Sequence, residues 1–151
     1  MAETLGTLCD KLTIVKLKHW HTEDPERRRL LEKQEQQLQS EMNEFVAAAT
    51  EGRIPIDRLT FAANKVYKKE GNTISDIRGS VGEIFSMLAA VNCNLWHVQE
   101  NVYDFEKIPV EEKDAVVKQL AILNLERVEC IDKLDLQFRA LIEPLQVKAG
   151  E

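Results

Sequence analysis

Two Trp-His pairs are the most unusual chemical feature of this sequence. The chain has two tryptophans and three histidines, and a histidine directly follows each tryptophan, at Trp20-His21 and at Trp96-His97. An indole face can stack on a flat ring or attract a cation, and its N–H donates a hydrogen bond. The two pairs therefore indicate positions where aromatic contacts are made, either within the fold or to a ligand.

Polar side chains also occur where helical spacing predicts apolar contacts. Lys16, Asn92 and Arg127 each fall within a stripe of apolar residues. A buried guanidinium requires a carboxylate or an anionic ligand, because an isolated charge is very costly in a low dielectric. One interpretation is an internal salt bridge from Arg127 to a carboxylate such as Asp10 or Glu83, with Asn92 bonded to a neighbour.

The alternative interpretation of the same residues is a pocket for an anion. Arginine presents a fork of donors that matches phosphate or carboxylate, and a tryptophan could stack on the flat ring of a nucleotide-like ligand. His19 or His97 could add donors. The residues predicted to bind this ligand are Lys16, His19, Trp20, Asn92, Trp96, His97 and Arg127.

Acidic side chains at helical spacing suggest a second kind of site. Glu100 and Asp104 lie four residues apart, and Glu126, Glu129 and Asp132 follow one another at intervals of three. Two such helices could hold Mg²⁺ together with substrate phosphates. All-helical nucleotide pyrophosphohydrolases carry paired acidic helices of this kind, but their doubled glutamate is missing here. We favour a solvated face over a magnesium site at Glu100, Asp104, Glu126 and Glu129.

Composition and spacing argue against several other chemistries. The net charge of −6 disfavours nucleic acid as a partner. Cys9, Cys93 and Cys130 have no metal-ligand spacing, and an odd number of cysteines is typical of reduced thiols in the cytoplasm. No apolar run reaches the length of a membrane span. We therefore expect a cytoplasmic protein with no resident cofactor and with neither a membrane nor nucleic acid as a partner.

The elements that must position these residues are predicted to be helices throughout. Leu, Glu, Lys, Gln and Ala dominate the chain, and no segment alternates apolar and polar residues with a period of two. Proline and glycine mark the breaks, with Pro144 ending the last helix. The fold class is therefore an all-α bundle in a single domain, 1–151, with four long helices and one short connecting helix. The predicted helices cover residues 3–21, 25–50, 56–69, 75–103 and 109–142.

The two halves of the chain are similar to each other. When Gly6 is aligned with Gly82, an offset of 76 residues, the first Trp-His pair aligns with the second and several apolar positions match. We interpret this register as an internal duplication of a helical hairpin, which gives a pseudo-symmetric bundle. The half-units are residues 1–50 and 75–146, with a connector at 51–74.

The first and third helices carry apolar residues on two faces. In the first helix, Leu8 and Val15 lie on the core stripe, whereas Ile14 and Leu17 lie on the opposite side. Both tryptophans are predicted at the edge of the core stripe. A helix that is apolar on both sides is either central to its bundle or covered by another subunit, so a homo-oligomer is expected.

A family resemblance is carried by three segments of the chain. The first half, "LGTLCDKLTIVKLKHWH", resembles the start of an uncharacterised all-helical family of small bacterial and phage proteins with an LG-x-L-x-DKL-x-I-x-x-LK-x-WH pattern. The second half, "LAAVNCNLWHVQENVYD" and "QLAILNLERVECID", is similar to that family's Asn-x-x-x-Trp-His segment and its Asn-x-x-Arg segment with a downstream acid. The matching positions are Lys18, Trp20, His21, Asn92, Trp96, His97, Asn124, Arg127 and Asp132.

The resemblance implies an all-helical fold and no assigned reaction, and its phage members suggest the capture of a host signalling nucleotide. We therefore predict a non-enzymatic protein that binds a small anionic, nucleotide-like ligand, in the host cell cytoplasm if a phage encodes it. One alternative is a Mg²⁺-dependent, all-helical nucleotide pyrophosphohydrolase. The other is a helical protein–protein adaptor that has no small ligand.

Overall fold

The protein is all-α in the part of the chain that the structure describes. The computed structural model describes residues 2–61 and 76–149, and these ranges contain no strand. The predicted all-helical bundle is confirmed. Its elements are α1 (Leu5–His21), α2 (Pro25–Thr50), α3 (Val81–Tyr103) and α4 (Val110–Ala149), with 3-10 turns at Ile56–Arg58 and Phe105–Lys107.

Side-chain caps fix the helix starts. Thr4 and Ser80 begin α1 and α3 with capping boxes, and Asp24 begins α2 by accepting the Arg27 backbone N–H at 2.8 Å. Pro25 occupies the first position of α2, where its missing N–H costs nothing. α1 begins two residues and α3 six residues later than predicted, each directly after its cap, whereas α2 has the predicted bounds.

The end of α4 differs from the prediction. Pro144 does not end the helix but lies inside it, and α4 continues past it. The Gln146 side-chain amide donates hydrogen bonds to the carbonyl oxygens of Ile54, at 2.8 Å, and Ala49, at 3.4 Å. These bonds hold the last turns of α4 against the end of α2, so tertiary contact outweighs the local effect of proline.

The predicted connecting helix at 56–69 lies mostly outside the described residues. In the described part of this segment, residues 56–61, only the 3-10 turn Ile56–Arg58 is helical.

Helix α1 is central to the bundle. It packs against α2 in one hairpin and also against α3 and α4, which form the other hairpin. Leu8 and Val15 join Leu31 and Leu38 of α2 in a small apolar cluster. Leu5 belongs to a larger core that is shared with α3 and α4. The core stripe of α1 is therefore covered within the chain by both hairpins, whereas Ile14 and Leu17, on the predicted second face, are half-buried.

Gly6 permits the close approach of α1 to α4. A Cβ atom at this position would lie 2.7 Å from the Ile131 carbonyl oxygen and 2.8 Å from Oδ1 of Asp135. The Gly6 backbone N–H donates to that same Asp135 oxygen at 2.7 Å. A carboxylate from α4 thus satisfies a free N–H at the positive end of α1.

The setting of Gly82, which the sequence aligns with Gly6, is different. A Cβ atom at Gly82 would meet nothing within 4 Å in the part of the chain that the structure describes. The two glycines therefore do not play the same packing role, and the internal duplication stays a prediction.

None of the described helices combines the length and the apolar character needed to cross a membrane.

Candidate functional site

Three polar residues from three helices meet in the bundle interior. The Arg127 guanidinium of α4 donates from Nε to Oδ1 of Asp10, at 2.8 Å, and from Nη2 to Oδ2, at 2.5 Å. The Asn92 amide of α3 donates to Oδ1 of Asp10 at 3.0 Å. Asp10, on α1, is only 5% exposed. The hydrogen bond that Arg127 donates to the Asp10 carboxylate raises the pKa of Arg127 above its ordinary value. Of the two interpretations of Arg127, the structure therefore shows the internal salt bridge, with Asp10 as the carboxylate.

Lys16 does not join this cluster. Its ammonium lies 3.0 Å from Oε1 of Glu35, on α2, and its side chain is exposed. The expectation that Lys16 lies in the core stripe is wrong, because Val15 is the residue that faces α2 here. Lys16 lies beside that contact, at the surface.

The other predicted ligand-binding residues are also dispersed. Nε2 of His19, on α1, lies 3.3 Å from Oε1 of Glu32, on α2. Trp20 is 83% exposed, so the expectation that it packs at the core edge is wrong. His97 is exposed on α3. Since Asn92 and Arg127 are bonded to Asp10, the seven predicted residues do not form one pocket.

Trp96 and His21 make the aromatic contact that the Trp-His pairs suggested. Their rings stack with centroids 4.5 Å apart and planes 20° apart. The Trp96 indole N–H donates to Oε1 of Glu100 at 2.8 Å, and Nδ1 of His21 lies 2.8 Å from the Leu17 carbonyl oxygen. A carbonyl oxygen only accepts, so Nδ1 carries the hydrogen of this bond. Both rings are thus held in fixed orientations.

A cavity of about 480 Å³ opens beside this stack. Lys18 and Arg27 bring cations to it, and neither forms an ion pair within residues 2–61 and 76–149. Among the described residues, no carboxylate belongs to its lining. The volume is within the range of small-molecule sites. The cavity is lined by Lys18, His21, Thr22, Arg27, Leu31 and Trp96.

Of the residues predicted to bind a ligand, only Trp96 lines this cavity. His21 was noted as half of a Trp-His pair and Lys18 as a position of the family resemblance, but neither was predicted to bind the ligand. Arg27 lies in the basic cluster "PERRRLLEK", which is typical of an exposed helix start. The signal that could have found them is the turn between α1 and α2, because it brings the end of one helix beside the start of the next.

The acidic residues of the alternative site do not assemble. Glu100 accepts the Trp96 N–H, and Asp104 lies 3.2 Å from the Lys107 ammonium. Glu126 and Glu129 are near Cys130 on α4, where their charges help to raise its pKa. In the described ranges, no three His, Cys, Asp or Glu side chains lie close enough together to hold a metal ion. The geometry therefore gives no support to the magnesium-dependent alternative.

The three cysteines are all free thiols. Cys9 and Cys130 are buried, and this burial raises the pKa of Cys9 to about 12 and that of Cys130 to about 11. Cys93 is exposed on α3. Cys9 and Cys130 are therefore inert protonated thiols, and Cys93 is the accessible one.

Comparison with known proteins adds no relative to these observations: no family model, no curated protein and no solved structure matches this chain.

Proposed function

We propose that this protein is a non-enzymatic binder of a small anionic, nucleotide-like ligand. The observation that carries the proposal is the cavity beside the Trp96–His21 stack, because it brings two cations that form no ion pair in the described ranges to an aromatic surface. Lys18 and Arg27 would hold the phosphate groups through charge-assisted hydrogen bonds. The flat base would extend the existing ring stack.

The proposed ligand is of the class expected from the sequence, but the residues proposed to bind it are mostly different ones. The internal arginine, Arg127, is bonded to Asp10, whereas Arg27 lies beside the turn of the α1–α2 hairpin and forms no ion pair within residues 2–61 and 76–149. We also expect the protein to act in the cytoplasm, which keeps thiols reduced, because none of its three cysteines forms a disulfide.

Ligand binding can be read from one tryptophan at a time. In a Trp20→Phe variant, Trp96 is the only tryptophan left. A panel of nucleoside mono-, di- and cyclic phosphates and cyclic dinucleotides, added without metal, should quench Trp96 emission when a base stacks on it. The same ligand should raise the melting temperature, because it binds the native state.

Charge-removing variants test the phosphate contacts. Lys18→Met and Arg27→Met should each weaken binding roughly tenfold or more, since each removes a hydrogen bond to a charged group. Arg29→Met is the matched control: Arg29 follows closely in the same basic cluster, but it pairs with Glu26 and does not line the cavity. Its affinity should equal that of the wild type.

The other outcomes discriminate between the alternatives. Absence of quenching and of any melting shift across the panel would contradict the proposal and favour the adaptor. Release of phosphate or pyrophosphate that requires Mg²⁺ would favour the pyrophosphohydrolase.

A further inference from the structure

One tryptophan and one histidine of the two Trp-His pairs stack on each other within the chain, whereas the remaining tryptophan and histidine do not. His21 stacks on Trp96, whereas Trp20 and His97 are both exposed. Neither of the two has a ring partner among residues 2–61 and 76–149. The chain thus exposes the indole of Trp20 and the imidazole of His97, the same two ring types that stack on each other at Trp96 and His21.

The helix that carries His97 has an uncharged outer face. From Ile84 to Gln99 the sequence contains no Asp, Glu, Lys or Arg, yet Phe85, Ala90 and His97 are exposed there. Depletion of charge is typical of the centre of protein–protein interfaces, where aromatic residues are enriched. A solvated helix face normally carries charged residues instead.

The ends of the two hairpins have complementary charge. Residues 16–33, around Trp20, contain six Lys or Arg and four Asp or Glu. Residues 97–114, which begin at His97, contain six Asp or Glu and only two Lys. A contact between Trp20 of one molecule and His97 of another therefore brings a basic segment towards an acidic one.

We propose that a second copy of this chain binds the outer face of α3 and stacks its Trp20 on His97. In a two-fold dimer each copy supplies both groups, so the contact forms twice and the interface closes. The dimer does not depend on the ligand cavity, and either proposal can fail without the other.

The dimer is tested by sedimentation equilibrium over a range of protein concentrations. Trp20→Ala and His97→Ala should each raise the dissociation constant of the dimer at least about tenfold. In the double variant the dissociation constant should rise by less than the product of the two single factors, because both substitutions remove the same contact. Added salt should weaken the wild-type dimer, because charged segments face each other. In a Trp96→Phe variant, the emission of Trp20, then the only tryptophan, should shift to the blue as concentration rises.

The control is an exposed apolar residue elsewhere. Leu141 is 61% exposed near the C-terminal end of α4, far along that helix from the turn between α3 and α4. Leu141→Ala should leave the dissociation constant of the dimer unchanged. Trp20 is exposed, so its removal does not open a cavity and the variant should fold. A wild-type protein that stays monomeric overturns the proposal. Self-association that Trp20→Ala and His97→Ala leave unaltered overturns it as well.

Discussion

The carboxylate of Asp10 depends on donors from two other helices. Arg127 and Asn92 supply them, and Asp10 itself is nearly inaccessible to water. Arg127→Met should lower the free energy of unfolding by about 3 kcal/mol, because it leaves a buried charge with one amide partner. This loss is at the low end of what breaking a buried ion pair costs, because the Arg127 side chain is 32% exposed. Urea unfolding followed by circular dichroism measures the difference.

A second variant separates loss of charge pairing from loss of packing. Adding Asp10→Asn to Arg127→Met removes the buried charge, so the double variant should recover part of the lost stability. If Arg127→Met is as stable as the wild type, the buried pair does not hold the helices together.

The cysteines should differ strongly in reactivity. Cys93 is exposed, whereas burial raises the pKa of Cys9 to about 12 and that of Cys130 to about 11. Iodoacetamide near neutral pH should therefore modify Cys93 first, and Cys9 and Cys130 only as fast as the protein opens. Mass spectrometry of timed digests identifies the sites. Modification of Cys9 at the rate of Cys93 would contradict the buried position.

At the scale of single residues, chemistry was easier to predict than exposure. A guanidinium in an apolar stripe requires a carboxylate, and this argument led to Asp10 as a partner of Arg127. Helical spacing does not settle which of two adjacent residues faces a neighbouring helix. Val15 packs on α2 and His21 stacks on Trp96 of α3, so Lys16 and Trp20 beside them are exposed against expectation.

The helices are positioned partly by one glycine that has no room for a side chain. Gly6→Ala should destabilise the protein by about 1–3 kcal/mol, because the new Cβ would meet the Ile131 carbonyl oxygen and Asp135. Gly82→Ala is the matched control. It lies in the first turn of α3, where a Cβ atom meets no described residue within 4 Å, and alanine there should stabilise the protein by about 0.5–1 kcal/mol.

Thermal and urea unfolding of both variants measure these changes. Equal effects of the two substitutions would mean that α1 does not approach α4 closely at Gly6. They would also favour the equivalence of the two glycines that the duplication predicts.

At the scale of elements, local signals predicted the helices well and tertiary contacts explain the exceptions. Asp24 and Pro25 specify the start of α2 directly. The continuation of α4 past Pro144 depends on Gln146 reaching Ile54 and Ala49, which no local pattern contains. The cavity beside Trp96 likewise depends on how three helices cross, so the sequence indicated its chemistry but not its position.

For the whole molecule, the position of α1 predicts that neither hairpin is an independent unit. α2 buries only Leu31, Leu38 and Ala49, whereas the buried hydrogen bonds of Gly6 and Asp10 on α1 are made with α4 and α3. A fragment of residues 1–61 should therefore show weak helicity and no cooperative thermal transition. Mixing it with a fragment of residues 76–151 should restore both, as measured by circular dichroism. Cooperative unfolding of the first fragment alone would contradict this expectation.

The buried cluster has a consequence for tracing the ancestry of this protein. Asp10 is separated from Asn92 by 82 residues and from Arg127 by 117, yet a change at any of the three alters what the others require. Lineages should therefore replace them together or keep them together, even after most surface positions have diverged. An aspartate, an asparagine and an arginine that co-vary at such separations, each on a helix, form a signature by which remote kin could be recognised.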